Sequence, residues 1–150
     1  MREILYLEDL KPGQCFKTGS HPLTEDEIKA FARDYDPQPF HTDPEAARHS
    51  FFGGLAASGW HTAAVTMRLQ VDSGPPLAGG MIGASVELTW PRPTRPGDIL
   101  HVESEILEVL PSRSKPDRGM IVLKSETKNQ KDEVVQLQTS RLLVWRREAP

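Results

Sequence analysis

The sequence predicts an α+β fold in which an antiparallel sheet packs around one buried helix, and two features of the chain lead to it. The stretch LAASGWHTAAVTMRLQV, Leu55 to Val71, is apolar on nearly every side and meets no charge until Arg68, the mark of a helix enclosed by its own domain. After Gly79-Gly80 the texture changes to alternating and β-branched residues. Met81 to Trp90, Ile99 to Leu110, Gly119 to Thr127 and Val134 to Trp145 each read as strands. The links RPTRPGD, PSRSKPDRG and KNQKDE carry the proline, glycine, asparagine and aspartate that turns require, so the carboxyl half reads as a β-meander.

Taken in order, a further strand is expected near Gln14 to Thr18, which brings the sheet to about five strands. A first helix is expected from Glu25 to Tyr35. Thr24 caps it, Glu27 bonds back to the cap, and Leu23 staples onto Ile28. Ile28, Phe31, Ala32 and Tyr35 fall on one face, with Lys29 and Arg33 turned outward. Pro37 and Pro39 stop this helix, and the Asp36 to His41 segment is expected to be a rigid, extended loop. Asp43 before Pro44 is an N-cap followed by proline at the first helical position, which opens a short helix through Arg48; Gly53 and Gly54 break it.

Composition sets limits on partners and place. A chain of 150 residues that is 37% hydrophobic holds one core, so residues 1–150 are expected to form a single domain. Its net charge of -3, from 18 basic and 21 acidic residues well mixed along the chain, provides no cationic face for nucleic acid. No stretch approaches the roughly 20 apolar residues of a membrane span, and the opening MREILYLEDL lacks the pattern of a signal peptide. With the single Cys15, this favours a cytoplasmic setting and an ordinary thiol.

The most unusual local chemistry is Asp36-Pro37-Gln38-Pro39-Phe40-His41, a carboxylate and an imidazole on a backbone stiffened by two prolines. Asp and His exchange protons near neutral pH when both face one cavity. The histidines His21, His41, His49, His61 and His101 form no HExxH or comparable spacing, so no metal site is expected, and His61 is expected to be a core residue. Trp60, Trp90 and Trp145 are expected to pack in the core or between subunits, with the lining of an acyl tunnel as the functional alternative. Arg92 and Arg95 are turn residues within reach, as an alternative, of phosphate groups.

The segment DPQPFHTDPEAA resembles the active loop of the MaoC-like and R-specific enoyl-CoA hydratase family, which runs Asp-x-Asn-Pro-x-His into an acidic Asp-Pro helix. The likeness continues through FGGLAASGWHT and IGASVELTWPRPTRPGD, and covers about residues 23 to 110. It implies a hot-dog fold and a catalytic pair, Asp36 and His41, that adds water across the double bond of a trans-2-enoyl thioester to give an (R)-3-hydroxyacyl thioester. Gly59 falls at the family's glycine, where backbone N–H groups at a helix start would stabilise the enolate oxygen.

Gln38 stands where asparagine is usual, and Ser58-Gly59 where His-Gly is common; both are expected in substrate binding. The resemblance further implies a CoA or acyl-carrier thioester as substrate, no cofactor, and a homodimer or higher oligomer. A hot-dog thioesterase and a non-catalytic acyl-thioester-binding module are the alternatives.

Overall fold

The computed structural model describes residues 2–147. Strand β1 (Cys15–Lys17) and the short β2 (His21–Pro22) lead into helix α1 (Glu25–Tyr35). Helical turns α2 (Pro39–Thr42) and α3 (Pro44–Arg48) precede the long helix α4 (Gly59–Ser73), after which β3 (Ile82–Thr89), β4 (Ile99–Pro111), β5 (Arg118–Lys128) and β6 (Val134–Trp145) complete the chain. The sheet is antiparallel throughout, six-stranded, in the order β1-β4-β5-β6-β3, with β2 also on β4. It wraps on α4 in the hot-dog arrangement that the resemblance implies.

The termini of α1 follow from local chemistry. Thr24 Oγ1 accepts the Glu27 N–H at 3.2 Å, and the Glu27 side chain turns back to the Thr24 hydroxyl. Asp43 likewise caps α3 by accepting the N–H groups of Glu45 and Ala46, with Pro44 at the first helical position. Leu23, Ile28, Leu100, Val102 and Val135, each at most 1% exposed, join α1, α4 and the sheet in one apolar cluster. Each such side chain contributes about 1.5–3 kcal/mol by leaving water. A second cluster, centred on Ile106, Ile121, Leu123 and Val144, closes the other end of the sheet.

Five expectations are corrected. Tyr35, expected on the buried face of α1, is 75% exposed, because the helix ends there and only Ile28 and Ala32 are buried. The carboxyl half is not a simple meander: β4, β5 and β6 are sequential neighbours, but β3 pairs with β6 at the far edge, in a register running from Ile82 opposite Leu143 to Thr89 opposite Leu137. The connection from β3 to β4 therefore crosses the sheet. The Asp36 to His41 segment is extended only as far as Gln38. Pro39, whose missing N–H costs nothing at a first helical position, opens a turn that carries His41.

The buried helix begins at Gly59, with Ser58 as its cap, whereas Leu55 to Ala57 are buried as irregular backbone. Nor is α4 apolar toward the sheet. Its buried face presents Thr62, Thr66 and Gln70, while Trp60, Met67 and Val71 look outward.

Polar groups taken out of water need partners, and the sheet and the loop between β3 and β4 supply them. Thr62 Oγ1 meets Thr94 Oγ1 at 3.0 Å, Thr66 Oγ1 meets Thr127 Oγ1 at 2.6 Å, and Gln70 Nε2 donates to Ser125 Oγ at 2.8 Å. Gln136, fully buried, donates to Thr66 Oγ1 and accepts the Trp90 indole N–H at 2.9 Å. This polar seam sets the position of α4 along the strands, which apolar packing alone would leave free to slide. No helix among the described residues is long and apolar enough to cross a membrane.

Candidate active site

Asp36 is the C-cap of α1. Its N–H still donates to Ala32 O at 2.8 Å, but φ -153° and ψ 64° take the chain out of the helix, as the following proline demands. Gln38 N–H then donates to Asp36 O at 2.7 Å, and His41 N–H to Gln38 O at 2.9 Å. This pair of turns brings the two side chains together, with His41 Nε2 lying 3.3 Å from Asp36 Oδ2.

The imidazole is buried, at 5% exposure, and its other nitrogen is fixed: Nδ1 donates to the Ala56 carbonyl at 2.6 Å. A carbonyl can only accept, so the proton of a neutral His41 resides on Nδ1 and the lone pair on Nε2 faces Asp36. Phe40 stands edge-on to the ring at 4.6 Å between centroids, and Phe52 flanks it at 5.9 Å.

Burial pushes the Asp36 carboxyl toward a higher pKa. Hydrogen bonds from the Gln38 and Ser58 side chains and the nearby His41 outweigh it, and hold the group below its ordinary value. Gln38 Nε2 donates to Asp36 Oδ1 at 2.6 Å, which leaves Oδ2, beside His41 Nε2, for a bound molecule. Asp36 is therefore an acceptor at neutral pH.

Both groups open on a cavity of about 550 Å³, whose wall also includes Phe52, Gly59, Trp60 and Trp90. Gly59 is the first residue of α4, and its N–H makes no hydrogen bond among the described residues. The absence of a side chain there has a steric cause: a Cβ on Gly59 would come within 2.7 Å of the Trp90 ring. Ser58 is fully buried and caps the helix through Trp60 N–H at 3.3 Å. The arrangement can accept protons at two adjacent atoms, and Gly59, whose N–H is unpaired among the described residues, lines the same space.

All five residues singled out in the sequence, Asp36, Gln38, His41, Ser58 and Gly59, thus converge here. Trp60 and Trp90 also line the cavity, in edge contact at 5.7 Å, whereas Trp145 packs over Gly79 and under Arg118. Arg92 is at the rim and pairs with Glu133 at 3.3 Å. Arg95 instead turns inward and donates to backbone carbonyls, away from any phosphate. His49 is exposed beside Glu45, outside the cavity.

Sequence reasoning missed Ala56, Phe52 and Thr94. Their contributions are a carbonyl, a ring packed over a turn and a backbone contact, none of which has a motif. It also passed over His101, Glu103 and Asp132, which approach one another, although the Lys128 ammonium already lies 3.3 Å from Glu103 and 3.6 Å from Asp132.

A family profile for the MaoC like domain matches residues 9–130. The chain is 35% identical over 129 residues to the uncharacterized protein YdeM of Bacillus subtilis, covering 84% of this chain and 89% of that one. It is 30% identical over 114 residues to 3-hydroxybutyryl-CoA dehydratase of Methylorubrum extorquens, covering 75% and 70% respectively. Among solved structures, a MaoC-like dehydratase from Rhodospirillum rubrum superposes with a TM-score of 0.94 at 59% identity, over 97% of this chain and 99% of that one.

Proposed function

The chain belongs to the MaoC like domain family, and on that premise we propose that it is an acyl-thioester hydratase/dehydratase. It adds water reversibly to a trans-2-enoyl-CoA or acyl-carrier thioester and yields the (R)-3-hydroxyacyl thioester. The observation that carries the reading is the pair Asp36 Oδ2 and His41 Nε2, 3.3 Å apart at the wall of one cavity. The (R) stereochemistry follows from the family resemblance.

The proposed reaction needs only the chain's own groups. Asp36 is ionised and His41 carries its proton on Nδ1, so a water between them donates one hydrogen to each. Loss of a proton to the pair lets the water oxygen form a bond to C3 of the enoyl group, while the double-bond electrons move toward the thioester carbonyl. The Gly59 N–H stabilises the charge that develops on that oxygen. The pair then returns the proton to C2, so one water is consumed and no cofactor changes state. The dehydration follows the same path in reverse.

Self-association is part of this proposal. Strand β3 is the sheet edge, and six of its eight residues in succession from Ile82 are exposed, including Val86 at 56%. With outward-facing Trp60 and Met67, it forms an apolar margin that a second copy would cover.

The test is hydration of a panel of trans-2-enoyl-CoA substrates, followed by loss of the enoyl absorbance. Native protein is expected to turn over at least one chain length. Asp36→Asn and His41→Ala, folded as judged by circular dichroism, are expected to lose at least a hundredfold in kcat. Release of free CoA in place of hydration would assign the cavity to thioester hydrolysis, and binding without chemistry across the panel would make the protein a binding module.

A further inference from the structure

Ala56 decides which nitrogen of His41 carries the proton, yet it lies in a segment without helix or strand, just after Gly53 and Gly54. Something must hold that backbone. Its N–H donates to Phe40 O at 3.1 Å, and the next N–H, of Ala57, donates to Thr94 O at 2.9 Å. The residues immediately before it are gripped by one side chain. Arg95 Nη1 donates to the carbonyls of Gly54 at 3.0 Å and Leu55 at 3.3 Å, and Nη2 donates to the carbonyl of Phe52.

Arg95 is in turn fixed from behind. Its N–H donates to Asp98 Oδ2 at 2.9 Å, and the other oxygen of buried Asp98 accepts from Gln130 Nε2 at 3.1 Å. No carboxylate among the described residues pairs with the guanidinium, so its charge is met by carbonyl oxygens. A planar fork of donors suits three carbonyls in one turn, which a single ammonium cannot span with the same geometry.

We propose that Arg95 is a positioning residue for His41. By holding the Phe52, Gly54 and Leu55 carbonyls it fixes the direction of the Ala56 carbonyl. That acceptor keeps His41 in the Nδ1–H tautomer with Nε2 turned to Asp36. The same grip seats Phe52 against the imidazole. The consequence for turnover rests on the hydratase reading; the consequence for the tautomer does not.

The experiment reads both. Ring ¹⁵N shifts of His41 are recorded by long-range ¹H–¹⁵N correlation in native protein, Arg95→Gln and Arg95→Lys, with turnover of trans-2-butenoyl-CoA and melting temperature measured in parallel. Native His41 is expected to show one protonated nitrogen, Nδ1. Arg95→Gln is expected to show averaged ring nitrogens and at least a tenfold loss of kcat with KM within threefold of native. Arg95→Lys is expected to recover part of both, because it reaches fewer carbonyls; if Arg95→Gln fails to fold, Arg95→Lys decides alone.

A native ring pattern with native kcat in the folded variant overturns the proposal. Absence of turnover in the native protein across the enoyl panel, with the ring pattern still altered in the variant, removes the hydratase reading and leaves the role of Arg95 standing.

Discussion

Gln38 Nε2 donates to Asp36 Oδ1 at 2.6 Å while Asp36 Oδ2 faces His41 Nε2 at 3.3 Å, so one amide occupies one carboxylate oxygen and reserves the other. Gln38→Leu removes that donor. A hydrogen bond to a charged group contributes about 1.5–3 kcal/mol, and loss of part of it from the aligned state is expected to lower kcat roughly tenfold. Gln38→Asn keeps the amide and is expected to stay within threefold. Steady-state kinetics on the best enoyl-CoA checks both.

The same bond has a pH signature. Asp36 has a lower pKa folded than unfolded, so its contribution to stability is complete above the unfolded value of about 4 and is lost as pH falls through the folded value. Gln38→Leu raises the folded value, and the contribution shrinks. The stability gap between native protein and this variant is therefore expected to be widest at neutral pH and to narrow below pH ~4. Urea titrations across that range measure it.

Gly59→Ala places a methyl group within 2.7 Å of the Trp90 ring, which its bond to Gln136 holds in place. Overpacking of this kind costs about 1–3 kcal/mol. The variant is expected to unfold at lower urea and to lose turnover, because the start of α4 must shift away from the cavity. Unchanged kinetics in a destabilised variant would mean that the Trp90 ring, and not the start of α4, gives way to the added methyl group.

Gln136 joins Trp90, Thr66 and Gln138 in the seam under α4. Gln136→Leu leaves the indole N–H of the partly exposed Trp90 and the buried Gln138 Oε1 without this partner, and a buried group so stranded costs about 1–3 kcal/mol. The urea midpoint is expected to fall with an unchanged slope, and Trp90 emission to shift.

His61 is buried against Phe31, with rings stacked at 4.6 Å, and its Nδ1 has no hydrogen-bond partner among the described residues. Burial lowers its pKa; Glu27 pulls it up and His21 pushes it down, but burial prevails. The unfolded chain therefore takes up this proton first. The stability that neutral His61 confers is complete above the unfolded value, about 6.5, and erodes below it. His61→Phe is expected to lose less melting temperature than native protein between pH 7.5 and pH 5. Equal losses would show that the acid sensitivity lies elsewhere.

Val86→Lys puts a charge in the middle of the exposed β3 edge. If a second copy pairs there, sedimentation is expected to show the native protein as a dimer or larger and the variant as a monomer of the same fold. A native monomer would refute the proposed association.

Local chemistry alone determined much of this protein. The caps at Thr24 and Asp43, the stop at Pro37 and the pairing of Asp36 with His41 rest on interactions between residues a few positions apart, and the alternation that marks the long carboxyl strands is likewise written in the order of the chain. Tertiary structure decided what depends on distant partners. The placement of β3 beside β6, the sheetward turn of Thr66 and Gln70, and the hold of Ala56 on His41 bring together residues from 15 to 61 positions apart. Alternation identifies a strand but does not state its neighbour, and a carbonyl leaves no mark in the sequence. The chain names the candidate groups, and the fold orients them.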